Sequence, residues 1–123
     1  MSKLVDTNII IDYLRQRPEA LSLVANMASK PHVSVASVCE LYAGAGSRRE
    51  EDRIALLLQA SKIMPVTLEI ARRGGQFMKH YGPSHGLDDL DALIAATAEQ
   101  HGLALVTLNL KHFPMFPKLK APY

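Results

Sequence analysis

The 123-residue sequence contains a single cysteine, Cys39, and no tryptophan. One thiol cannot form an intramolecular disulfide, and a zinc site built from several cysteines is excluded for the same reason. No uncharged run approaches the roughly 20 apolar residues that a membrane helix needs. The apolar segment that begins at Leu4 is interrupted by Asp6 and Asp12, unlike a secretory signal. We therefore expect a cytoplasmic protein that has no membrane partner.

The sequence also lacks a large excess of either charge, because its 14 basic and 12 acidic residues leave a net charge of only +2. Apolar residues make up 48% of the chain, which is enough for one packed core and argues against intrinsic disorder. The sequence shows no repeat, low-complexity tract or linker-like run. We interpret residues 1–123 as one domain, in agreement with the usual domain size.

Short apolar strands alternate with helical patterns along the chain. Strands are predicted at Lys3 to Val5, Val33 to Val35, Ile63 to Val66 and Leu103 to Thr107. Helices are predicted around Ile9 to Leu14, from Pro18 to about Ala28, from Ser37 to near Gly44 or Gly46, from Arg48 to Lys62, from Thr67 to about Tyr81 before Gly82 and Pro83, and from Asp88 to His101. Strands separated by helices of this length predict an α/β fold with a parallel sheet and helices on both faces.

Three acids follow predicted strands or begin predicted helices. Asp6 comes directly after the first strand, and Glu40 lies in the first turn of the helix that Ser37 opens. Asp91 lies in the first turn of the last long helix. In an open parallel sheet, the carboxyl ends of the strands and the starts of the following helices lie at one edge, where ligands bind. We therefore expect these three acids, remote in sequence, to lie at that edge.

Helix capping is the ordinary explanation for each acid taken singly. Asp6 is a good N-cap, Ser37 and Glu40 match the Ser-x-x-Glu capping box, and Asp88 with Asp91 can cap and charge a helix start. However, no lysine or arginine lies within seven residues of Glu40 or within nine of Asp91. Carboxylates in such apolar surroundings are costly unless a positive charge pairs with them. A divalent cation such as Mg²⁺ or Mn²⁺ supplies that charge.

A cation held by carboxylates can activate water and stabilise a phosphodiester during in-line attack. Setting aside the three acids leaves 14 basic residues against 9 acidic ones, and this mildly basic exterior suits a polyanion. Arg48 and Arg49 are candidates for contacts to RNA phosphates. The alternative is that both pair with the acids that follow them on a solvated helix.

Four segments together resemble one known family. They are Leu4 to Leu14, Ser34 to Gly44, Asp91 to Ala98, and Leu105 to Asn109 with His112 and Phe113. In this order and spacing they resemble the PIN-domain ribonucleases of the VapC toxin type. The resemblance implies a three-layer α/β/α domain with a parallel sheet of four to five strands. It also implies an endoribonuclease that depends on Mg²⁺ or Mn²⁺, inhibits translation by cutting tRNA or ribosomal RNA, forms a homodimer and is silenced by a cognate antitoxin.

The resemblance also assigns metal ligands. Matched position by position, Asp6, Glu40 and Asp91 are the acidic ligands. Asn109 takes the place of a fourth acid and would hold a second cation less strongly than an aspartate does. Asp88 lies one helical turn before Asp91 and is a candidate to compensate.

Three polar residues are expected to support these ligands. Thr7 and Asn8 would brace Asp6, although both also fit an ordinary helix start. Thr107, which with Asn109 matches the family's terminal Thr-x-Asn pair, is a candidate to donate a hydrogen bond to a ligand carboxylate.

Two other interpretations were weighed against a nuclease. A phosphoacceptor receiver domain needs a pair of acids after its first strand and an aspartate after its third, and the sequence has neither. A catalytically silent PIN-like module that only binds RNA or protein stays open, because Asn109 stands where a fourth aspartate could be.

Overall fold

The computed structural model describes all 123 residues. Its strands are β1 (Lys3–Val5), β2 (His32–Ser34), β3 (Lys62–Met64) and β4 (Ala104–Val106). Its helices are α1 (Thr7–Leu14), α2 (Pro18–Ala25), α3 (Val35–Ala43), α4 (Arg48–Gln59), α5 (Leu68–His85) and α6 (Asp89–His101), and a short 3₁₀ helix spans Leu110–His112. None of these helices combines the length and the apolar character needed to cross a bilayer.

All four strands are parallel and lie in the order β3-β2-β1-β4, which confirms the predicted α/β architecture. The chain moves to one side of β1 through β2 and β3, then returns to the other side for β4. Ligands of doubly wound sheets bind where the strand order reverses in this way, beyond the carboxyl ends of the strands. The crevice of this protein therefore lies at the ends of β1 and β4.

Two apolar clusters cover the two faces of the sheet. Leu4 and Leu105 project into a cluster with α5 and α6, whereas the next residues, Val5 and Val106, project into a cluster with α1 and α4. This alternation is the two-residue period of a strand. Because helices cover both faces, the domain has three layers.

The start of α3 differs from the prediction. Ser34, not Ser37, caps this helix, because the Ser34 hydroxyl accepts a hydrogen bond from the Ala36 amide at 3.0 Å. Either serine could cap a helix. Ser34 does so because β2 ends at this residue and the helix begins directly after it. As a result Glu40 lies in the second turn of α3, on the same face as Ser37, and no capping box forms.

The end of α5 also differs from the prediction. The helix continues through Gly82 and Pro83 to His85 and ends at Gly86, which has a left-handed φ of 65°. A proline removes one amide donor from a helix, but near the last turn this loss affects few bonds, and α5 packs along α6. By contrast, α6 ends at Gly102 with a φ of 61°, as its sequence predicts.

Gly74 lies where α5 packs against α6, and a Cβ there would stand 3.2 Å from Leu93 Cδ2. We expect Gly74→Val to lower the free energy of unfolding by about 1–3 kcal/mol through crowding, measured by urea denaturation. Gly75→Ala is the matched control, because nothing lies within 4 Å of its Cβ position, and it is expected to gain about 0.5–1 kcal/mol. A loss in both variants would contradict crowding as the cause.

Candidate active site

Asp6 lies at the carboxyl end of β1 and is the most buried acid of the crevice, with 3% of its surface exposed. Its Oδ1 accepts a hydrogen bond from the Thr7 amide at 2.8 Å, and its Oδ2 accepts one from the Thr107 hydroxyl at 2.6 Å. A carboxylate oxygen has two lone pairs, so each oxygen keeps one for a further partner. Asp6 is thus fixed in orientation and still able to bind a ligand.

Glu40 reaches the same region from α3. The Thr7 hydroxyl donates a hydrogen bond to Glu40 Oε1 at 2.6 Å and lies 2.9 Å from the Ser37 hydroxyl. Thr7 therefore contacts two acids, Asp6 through its amide and Glu40 through its hydroxyl. Glu40 is half-buried, so it is less dry than its apolar neighbours in sequence suggest.

Asp88 and Asp91 approach from the start of α6. The Asp91 amide donates to Asp88 Oδ1 at 2.8 Å, so Asp88 caps the helix. The Asp91 side chain is 14% exposed, and its Oδ2 lies 3.3 Å from Nδ1 of His112. The two aspartates therefore have different environments, because Asp88 is exposed and Asp91 is mostly covered.

The acids affect one another electrostatically. Burial raises the pKa of Asp6, and the charges of Glu40 and Asp88 raise it further, while the hydrogen bonds from Thr107 and Thr7 act in the opposite direction. Burial, with the charges of Asp88 and Asp6, raises the pKa of Asp91 to about 6. These effects require that carboxylates from β1, α3 and α6 lie close together.

No lysine or arginine forms an ion pair with any of these four acids. Carboxylates gathered without a lysine or arginine partner are the donor set that Mg²⁺ and Mn²⁺ favour. No three His, Cys, Asp or Glu side chains form a ready coordination sphere. A cation held by these residues would therefore have to keep several of its waters, as Mg²⁺ usually does.

The other residues predicted for the site occupy different places. Asn109 is exposed, and it is its backbone amide that donates to the Thr107 hydroxyl, at 3.0 Å. Asn8 does not contact Asp6 directly, because its side-chain amide donates to the Thr107 hydroxyl and accepts from the Leu108 amide, both at 3.4 Å. Asn8 therefore supports Thr107, which in turn supports Asp6.

The two arginines considered for RNA phosphates lie at the start of α4. The Arg48 side chain is 91% exposed and lies 3.8 Å from Asp52, and Arg49 is exposed as well. Neither forms an ion pair with the acids of the crevice.

Sequence reasoning missed two polar residues of the crevice. The sequence predicts Ser37 as a helix cap, but the fold places it beside the Thr7 hydroxyl. His112 is part of the segment that carries the family resemblance but has no role assigned from the sequence, whereas the fold brings it against Asp91. Its place three residues after Asn109, in the turn that follows β4, was the signal available in the sequence.

Comparison with known proteins agrees with this architecture. Residues 3–117 match the family model of the PIN domain. The chain is 43% identical to Ribonuclease VapC19 of Mycobacterium tuberculosis (strain ATCC 25618 / H37Rv), covering 98% of this chain and 99% of that protein. It is also 43% identical to Ribonuclease VapC10 of the same organism, covering 98% and 92% of the two chains.

Solved structures show the same fold. A chain of a toxin-antitoxin complex from Klebsiella pneumoniae superimposes with a TM-score of 0.85 and 32% identity, covering 99% of this chain and 98% of that one. Mycobacterium tuberculosis VapC20 has a TM-score of 0.70 over 83% of this chain and 85% of its own, and its 18% identity is evidence for the fold alone. The chain therefore belongs to the PIN-domain family and, within it, to the VapC type.

Proposed function

We propose that this protein is an Mg²⁺- or Mn²⁺-dependent endoribonuclease and the toxin of a toxin-antitoxin pair. The observation that carries the proposal is the gathering of Asp6, Glu40, Asp88 and Asp91 at the sheet edge without a lysine or arginine partner. Four mutually repelling carboxylates weaken a fold unless they serve a ligand. The names of the 43% identical relatives support RNA as the substrate.

Asp6 and Asp91 are the residues that would hold the cation most directly, because both are shielded from solvent. When bound, Mg²⁺ or Mn²⁺ would lower the pKa of water and neutralise charge on the phosphodiester. Thr7 holds Glu40 through a 2.6 Å hydrogen bond, so Glu40 can bind the cation or orient the attacking water. Asp88 adds negative charge at the start of α6 and is the candidate ligand for a second ion.

Beyond the crevice, the proposal includes inhibition of translation through cleavage of tRNA or ribosomal RNA, with Arg48 and Arg49 available for phosphates. A cognate antitoxin would silence the enzyme, as supported by the toxin-antitoxin complex from Klebsiella pneumoniae that shares this fold. We also propose a homodimer that works in the cytoplasm.

The test is an RNA cleavage assay with purified tRNA and ribosomal RNA in Mg²⁺, in Mn²⁺ and in EDTA. We expect discrete cleavage products with either cation and no products in EDTA. We also expect no products after addition of the cognate antitoxin. Translation in a cell-free system, which itself requires Mg²⁺, should stop when the wild-type protein is added and continue when its antitoxin is added with it. RNA or protein binding without cation-dependent cleavage would overturn the proposal in favour of a catalytically silent module.

Thr107 offers a test of how Asp6 is supported. Thr107→Val keeps the shape of the side chain but removes the 2.6 Å hydrogen bond to Asp6 Oδ2, so we expect cleavage to fall about 10- to 100-fold. Thr107→Ser retains the hydroxyl and is expected to stay within about threefold of wild type. Equal activity of the valine and serine variants would contradict a role for the hydroxyl.

A further inference from the structure

His112 lies at the end of the 3₁₀ helix that follows β4, and one of its ring nitrogens has no hydrogen-bond partner. Its Nδ1 is shielded from solvent and lies 3.3 Å from Asp91 Oδ2, yet the geometry does not meet that of a hydrogen bond. A buried polar nitrogen without a partner costs free energy. The 3.3 Å separation from Asp91 Oδ2 already lies within hydrogen-bonding distance, so only the relative orientation of the two groups is unfavourable.

The segment that carries His112 already supports the other main acid. Thr107, five residues earlier, donates to Asp6, and the Asn109 amide donates to the same threonine hydroxyl. The His112 amide in turn donates to the Asn109 carbonyl at 3.1 Å. One short, internally hydrogen-bonded segment therefore begins with Thr107 against Asp6 and ends with His112 against Asp91, the two most shielded carboxylates.

We infer that His112 is a positioning residue, which holds Asp91 Oδ2 through an Nδ1–H hydrogen bond and leaves Asp91 Oδ1 to face a cation. The inference rests on the proposed function and extends it to a residue outside the acidic set. A histidine that donates to a ligand carboxylate limits its rotation, and such supporting contacts commonly change metal affinity 10- to 100-fold. His112 itself contacts neither the cation nor the RNA in this arrangement.

Three substitutions separate this role from a general effect on folding. Asparagine places its amide hydrogens near the position of Nδ1, glutamine carries them farther along the side chain near Nε2, and alanine removes them. We expect His112→Asn to bind Mn²⁺ within about threefold of wild type by calorimetry, and His112→Gln and His112→Ala to bind about 10- to 100-fold more weakly. Because the defect lies in cation binding, excess Mn²⁺ should restore most of the cleavage rate of these two variants.

Nitrogen NMR of the imidazole gives a readout independent of activity and of cations, with the proton expected on Nδ1. Wild-type affinity for Mn²⁺ in His112→Ala, or a neutral ring with its proton on Nε2 only, would overturn the inference. Should His112→Ala fail to fold, the asparagine and glutamine pair decides, because equal Mn²⁺ affinity in the two would also overturn it. A wild-type protein that neither binds Mn²⁺ nor cleaves RNA would instead overturn the proposed function.

Discussion

Asp6→Asn is expected to reduce RNA cleavage about 100- to 1,000-fold, the scale on which enzymes lose rate when one preorganised electrostatic group is removed. The amide matches the carboxylate in size but lacks its charge, and because its nitrogen cannot accept, one of the two hydrogen bonds from Thr7 and Thr107 is lost. The measurement is the initial rate of cleavage at saturating Mg²⁺, together with Mn²⁺ affinity by calorimetry.

Asp12→Asn is the matched control for this substitution. Asp12 lies within α1, the helix that Asp6 caps, but it accepts from the Tyr123 hydroxyl at 2.6 Å and lies 3.4 Å from Arg17, away from the crevice. We expect it to cleave RNA at the wild-type rate. Full activity in Asp6→Asn would mean that the buried carboxylate serves only as a helix cap, and the proposed chemistry would fail.

Asp91→Asn is expected to stabilise the cation-free protein at pH 7 while cleavage is lost. Burial and the charges of Asp88 and Asp6 raise the pKa of Asp91 to about 6. At pH 7 this carboxylate is ionised in surroundings that favour its protonated form, and this lowers the free energy of unfolding. One unit of pKa shift corresponds to about 1.4 kcal/mol, and with partial solvent access we expect a gain of about 1–3 kcal/mol in the free energy of unfolding.

The pH dependence has a defined sign. Between about pH 4 and pH 6, Asp91 is protonated in the folded protein but ionised in the unfolded chain. The contribution of Asp91 to the free energy of unfolding of the wild type therefore falls as the pH rises through this range to about 6. In EDTA, the stability difference between Asp91→Asn and wild type should therefore shrink towards pH 4. Asp89→Asn, at an exposed neighbouring acid, is the control and should show no such trend. An Asp91→Asn variant less stable than wild type at pH 7 would contradict the expectation.

Much of the fold could be predicted from local patterns. The four strands lie within two residues of the predicted positions, and Gly102 ends α6 as its conformational freedom suggests. Strand and helix periods depend on neighbours a few residues away, which the sequence displays directly. Predictions were wrong where two local signals competed, as at Ser34 and Ser37, or where packing against α6 outweighed a helix-breaking pair at Gly82 and Pro83.

The amino-acid sequence alone determined the alternation of strands and helices, and with it the edge of the sheet at which Asp6, Glu40 and Asp91 would meet. Only the tertiary structure decided which group touches which acid: Thr107 meets Asp6 across 101 positions of sequence, Thr7 turns to Glu40, and His112 meets Asp91. The physical reason is the distance along the chain over which each interaction acts. Capping and periodicity act within about one helical turn, whereas these contacts depend on the pairing of β1 with β4 and on how α3 and α6 pack around them.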